Sequence, residues 1–292
     1  MQIVRFPLAA LAAAAVAMPL QAQPTDPYGN TPATTYDAPR AINTGDFTFS
    51  AGAEVVSIYV FRGIETQDDG FIIQPWAEIG TSLGDSGFDL TLGTWSSLGS
   101  DGSGGGANSP SFAFETDLYA SLSYELDQFT LGATLTGFYS PGGFFGDVEE
   151  IALSAEYDDS AYFEEWAFSP YALLAFEFRD ENGSEDIYLE LGGSFGAPFI
   201  DAESLPVDIS FPFVLGFSLD DYYQDAGGSN EFFGFLRIGT ELSAPLDFIP
   251  AAYGSWTGTA ALDLYFLNDD ANLSDSGDDF LPVVRVGVAL DY

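Results

Sequence analysis

Four arginines, Arg62, Arg179, Arg237 and Arg285, lie inside alternating apolar segments of a 292-residue chain that has six basic residues in all and no lysine. Against them stand 45 acidic residues, no histidine and no cysteine. Guanidinium and carboxylate in this setting support two kinds of chemistry. They pair and fill a polar interior, or they form a charge-separated constriction that selects permeating ions or solutes. Both readings stay open at this stage. The missing histidine removes Ser-His-Asp triads, the usual neutral-pH proton shuttle and most zinc sites. The missing cysteine removes thiolate chemistry and disulfides. Carboxylate pairs such as Glu149/Glu150 and Glu164/Glu165 have the groups for acid–base hydrolysis. With 45 acids in the chain, adjacency by chance is the plainer account. We therefore expect no enzyme, no catalytic residue and no cofactor.

The formal charge of −39 repels nucleic acid, so that class of partner is excluded. The acidic stretch NDDANLSDSGDD, residues 268–279, has the oxygen ligands for weak Ca²⁺ binding but lacks the spaced D-x-D-x-D-G pattern. Solvated acidic surface is the favoured reading there. GSGGGANS lacks the lysine and the following helix of a phosphate loop.

The elements that carry these residues are strands. Residues 1–22 read as a signal peptide, with Arg5, an apolar run and LQA before Gln23. Residues 23–45 are rich in Pro, Thr and Asn and read as a flexible periplasmic tether. From residue 46 to 292 the chain alternates apolar and polar with period two, as in SFAFETDLYASLSYEL. About twelve such segments are expected, near 47–63, 70–83, 88–98, 111–126, 129–140, 148–157, 167–179, 185–197, 207–220, 231–244, 253–267 and 280–292. Most are long enough to cross a bilayer when tilted. Short connections (GDSG, DQ) alternate with long ones (GSDGSGGGANSP). The expected fold is an all-β transmembrane antiparallel up-and-down barrel of about 12 strands in a bacterial outer membrane. The alternative is a soluble β-sandwich, against which aromatics near the strand ends and the terminal Tyr292 both weigh.

Strict alternation assigns faces. Arg62, Arg179, Arg237, Arg285, Glu54, Glu78, Glu115, Asp117, Glu177 and Glu241 are expected to point into the lumen, with Arg62, Arg237 and Arg285 on one arc of the wall. Phe47, Phe49, Tyr59, Phe61 and Tyr292 are expected to form an aromatic girdle at the lipid interface. Outer-membrane lipid is then a partner, as is the barrel-assembly machinery through the last strand ending at Tyr292. The oligomeric state stays open.

The stretch Ser57, Tyr59, Val60, Phe61, Arg62, Gly63, followed by Asp68 and Gln74, resembles the opening signature of the uncharacterised bacterial outer-membrane family labelled Gcw-Chp. Gly93, Trp95 and Ser96, then Glu115, Asp117, Tyr119 and Ala120, then Phe138, Tyr139, Pro141 and Gly142 are similar to further family elements. Ile58 stands where the family often has Asp. The resemblance implies an outer-membrane location and no defined activity. The expected role is a passive channel for small solutes or cations through an acidic lumen. The alternative is a non-conducting structural or surface-interaction barrel with cation-binding acidic loops.

Overall fold

The computed structural model describes residues 46–100, 112–163, 166–180, 185–196, 207–271, 273–274 and 277–292, with the side chains of Arg179 and Asp180 outside that set. The expected signal peptide and tether, the glycine-rich run at 103–106 and the Glu164/Glu165 pair also lie outside the described residues.

The strands are β1 (Phe47–Val56), β2 (Tyr59–Phe61), β3 (Ile64–Gln67), β4 (Ile72–Ser82), β5 (Phe88–Gly99), β6 (Ala113–Leu126) and β7 (Phe129–Tyr139). They continue with β8 (Val148–Tyr157), β9 (Tyr171–Asp180), β10 (Ile187–Gly196), β11 (Asp208–Asp220), β12 (Phe233–Pro245), β13 (Ser255–Leu267) and β14 (Phe280–Asp291). Twelve of them, β1 and β4 to β14, close into one antiparallel barrel in which β1 pairs with both β4 and β14. Closure leaves no sheet edge, which is what lets strands cross a medium without hydrogen-bonding solvent. The seam is tied at its end by reciprocal backbone hydrogen bonds, Phe49 N–H to Tyr292 O at 2.9 Å and Tyr292 N–H to Phe49 O at 2.8 Å.

The period-two pattern sorts side chains as it must in a barrel wall. Leu92, Leu118, Leu135, Ile151, Ile238, Val284 and Val286 are exposed on the outside. Their immediate neighbours Asp117, Thr134, Thr136, Glu150 and Val283 are buried on the inside. An apolar belt around a closed barrel is unfavourable in water and favourable in lipid. No described helix is long and apolar enough to cross a membrane.

Three sequence expectations need correction. The first segment does not run unbroken from 47 to 63: β1 stops at Val56, and residues 57–67 leave the wall as the separate hairpin β2–β3. Tyr59 and Phe61 are therefore not part of a lipid-facing girdle but are 3% and 1% exposed inside the barrel. Phe114, alternating with outward residues in the sequence, is also buried. A register shift between Ser97 and Leu98 leaves it as an extra residue on β6, packed on Phe144 and Phe145. Further shifts lie at Glu149/Glu150, Ile187/Tyr188 and Gly216/Phe217. All four fall in the halves of their strands nearest the loops at 57–71, 140–147, 221–232 and 268–279, hereafter the loop end.

Candidate functional site: the inward hairpin and the charged lumen

The hairpin β2–β3 turns at Arg62 and Gly63, whose φ values are 44° and 81°. Two consecutive left-handed residues make the tight two-residue turn that suits strand twist. Glycine takes this conformation freely, whereas arginine does so at a cost on the order of 1 kcal/mol. Asn or Gly would serve the turn better, so the position is held for the arginine side chain.

That side chain reaches across the lumen to the opposite wall. Nη1 donates to Glu150 Oε2 at 2.7 Å and Nη2 to Glu150 Oε1 at 2.9 Å, a two-pronged pair with β8. The guanidinium carbon sits 4.3 Å from the centre of the Tyr188 ring and 5.4 Å from that of Tyr222. Nη1 also donates to Tyr222 Oη at 3.3 Å, and Tyr223 Oη donates to the Arg62 carbonyl at 2.7 Å. Burial alone would lower the guanidinium pKa, but Glu150, with Tyr222 and Tyr188 beside it, offsets this and holds it above the ordinary value. Burial pushes the Tyr222 and Tyr223 phenols well up, so both remain hydrogen-bond donors. Gly63 lies so close to the Phe235 ring that an added Cβ would fall 2.4 Å from Cδ1. The root of the hairpin is fastened too: Tyr59 Oη donates to Glu115 Oε2 at 2.8 Å, and its ring lies 5.3 Å from that of Trp95. Ser97 Oγ donates to Gln67 Oε1 at 2.6 Å. The hairpin thus fills the loop end of the lumen as a packed plug, in one cluster with Tyr188, Tyr222, Tyr223, Phe235 and Tyr265.

A second charged cluster in the lumen is wetter. Arg285 gathers three strands: its Nε donates to Asp263 Oδ2 at 2.7 Å, Nη1 to Glu54 Oε1 at 3.2 Å and Nη2 to Glu241 Oε2 at 3.2 Å. Arg237 approaches Asp263 at 3.9 Å. The Arg285 and Glu54 side chains keep 22% and 23% of their surface accessible, against 4% and 0% for Arg62 and Glu150.

The remaining residues singled out by the sequence divide as follows. Glu78 accepts from Tyr119 Oη, Glu177 is buried on the inner side of β9, and Asp117 is buried beside Glu115. The Arg179 side chain lies outside the described residues. Phe47, Phe49 and Tyr292 are exposed at the turn end, around the termini and the short turn at 83–87. Arg62 does not share an arc with Arg237 and Arg285; it has crossed to β8 and β10. Glu150, Tyr188, Tyr222 and Tyr223 were not singled out from the sequence. The one available signal was Glu150, an inward position by alternation with exposed Ile151, but read there only as half of an acidic pair.

Residues 40–205 match the family Gcw_chp, described as bacterial protein of unknown function. The chain belongs to the Gcw_chp family. Comparison with curated proteins finds no match. Among solved structures, this Gcw_chp protein is similar to the NanC porin, at 11% identity and TM-score 0.46 over 83% of this chain and 98% of that one. It is similar to an outer membrane channel from Pseudomonas putida F1, at 13% identity and TM-score 0.42 over 90% of this chain and 100% of that one. It is also similar to the translocator domain of the autotransporter NalP from Neisseria meningitidis, at 12% identity and TM-score 0.41 over 86% and 90%. These are likenesses between barrels, and no activity is carried across from them. A closed barrel with an apolar outer belt, in a bacterial family, is an outer-membrane protein.

Proposed function

We propose that this Gcw_chp barrel is a passive, non-enzymatic channel for small solutes, cations above all, whose loop end is shut by the β2–β3 hairpin. The observation that carries the reading is the contrast inside one lumen. A solvent-accessible network of Glu54, Glu241 and Arg285 lines the wall of β1, β12 and β14, while a dry plug hung on Arg62–Glu150 closes the loop end. Accessible carboxylates in a narrow low-dielectric passage concentrate cations and oppose anions. Because the plug is a hairpin joined to the wall at its two ends and not a wall strand, it can leave without opening the barrel.

A second reading, a non-conducting barrel with a permanent plug, is favoured by the depth at which Phe61 and Arg62 are buried. Planar-bilayer recording distinguishes the two. Replacing residues 57–67 by a short Gly/Ser link is expected to give steady cation-preferring current where the intact chain gives little or brief openings. A hairpin-deleted barrel that is folded, runs anomalously on gels when unheated, and still passes no current supports the permanent plug. Anion preference would defeat the channel reading as stated.

A further inference from the structure

The plug holds more carboxylate than its one arginine can neutralise. Arg62 is committed to Glu150. Glu115 and Asp117, two residues apart on the inward face of β6, are each 0% exposed. Glu115 Oε2 accepts from Tyr59, and apart from a proton that the two carboxyls can share with each other, Glu115 Oε1 and both Asp117 oxygens meet no donor. Asp117 is flanked in the ladder by Trp95 on β5 and Phe138 on β7, neither of which offers it a donor. One diagonal step away, the Thr136 hydroxyl is also buried without a partner. An unpaired buried carboxylate is among the costliest groups a fold can carry. Here two lie side by side, with the neutral Thr136 oxygen one diagonal step from Asp117.

We propose that Glu115 Oε1, Asp117 and Thr136 bind one hard divalent cation, of the Ca²⁺ type, at the junction of plug and wall. The two carboxylates balance its charge, and the donors are all oxygen, the ligand set such ions take, with water completing the shell. No group of three or more acidic side chains among the described residues forms a ready cage. The site is thus a two-carboxylate one, weaker than a dedicated loop. Glu115 links the ion to the plug, because its other oxygen holds Tyr59. Occupancy therefore fastens the hairpin root to β6, as Glu150 on β8 fastens its tip. This assignment does not depend on conduction.

The test uses the full barrel refolded in detergent and stripped with chelator. Terbium, a luminescent stand-in for Ca²⁺, is excited through Trp95, which pairs with Asp117 and packs on Tyr59. The expected result is sensitised emission saturating at one ion per barrel, displaced by Ca²⁺, and abolished in the double variant E115Q/D117N. The control variant E54Q, in the wetter network, keeps the signal. Calcium is also expected to raise the unfolding temperature of the parent barrel and not of E115Q/D117N. Emission that persists in a folded E115Q/D117N barrel would overturn the site. So would an absence of uptake by the parent chain at pH 7.5, which would mean that protons neutralise the pair.

Discussion

At the loop end of the barrel an arginine and a glutamate meet with almost no water; on the wall of β1 and β14 the same chemical pair meets with about a fifth of its surface still wet. The difference decides what each pair does. Arg62–Glu150 is a dry, two-pronged contact whose loss strands a charge, so it governs whether the hairpin stays seated. Arg285–Glu54 is screened and replaceable, so it shapes the field inside the lumen more than the stability of the fold.

Substitutions at the two pairs sharpen this contrast. Glu150→Ala, leaving Arg62 buried without its partner, is expected to cost about 3–5 kcal/mol. Urea unfolding in detergent measures this, and faster protease cleavage within residues 57–67 reports the hairpin coming loose. If E150A matched the parent on both counts, the dry lock would not be what seats the plug. Gly63→Ala places a methyl against Phe235 at a left-handed position, with an expected cost of about 1–3 kcal/mol. Tyr223→Phe removes one hydrogen bond to the Arg62 carbonyl, about 1 kcal/mol by the same unfolding assay. At the wetter pair, Glu54→Gln is expected to move the unfolding free energy by about 0–1 kcal/mol. Its larger effect falls on the reversal potential in a salt gradient, shifted toward weaker cation preference. A stability loss in E54Q as large as that in E150A would erase the distinction between the two pairs.

The smallest effect concerns the loop at 221–232. The half-buried Asp225 carboxylate is held below its usual range by hydrogen bonds from the Ser229 and Gly227 amides. Its ordering of the loop tip is fully present above the unfolded carboxylate value of about 3.9. It is lost as pH falls further, through the lowered folded value. Amide chemical shifts of Gly227 and Ser229 during acid titration follow that loss.

The barrel was legible because alternation with period two survives in nearly every strand. The segment expected near 148–157 is β8 at Val148–Tyr157, and those expected near 129–140 and 280–292 differ from β7 and β14 by one residue. The plug was not legible, for two physical reasons. Residues 57–63 continue the apolar–polar pattern of β1, and the turn is made by Arg-Gly, not by the Asn-Gly that announces a two-residue hairpin. Alternation also tells which residues share a face but not whether an aromatic face meets lipid or a filled lumen, so Tyr59 and Phe61 were read outward. Alternation could mark Glu150 as inward but could not name it as the partner of an arginine 88 residues earlier, since nothing local records so distant a pairing.

That distance has a consequence for how the molecule comes together. The hairpin follows the first strand, yet Glu150 lies 88 residues beyond Arg62, Tyr222 lies 160 beyond it and Tyr223 lies 161. An early segment must therefore wait, its guanidinium unmatched, until strands from across the chain arrive around it. Contacts so far apart in sequence form slowly. The hairpin is thus synthesised early and completed only when later strands are in place. Seating of the plug reports that β8 and the loop after β11 have reached their positions on the far wall.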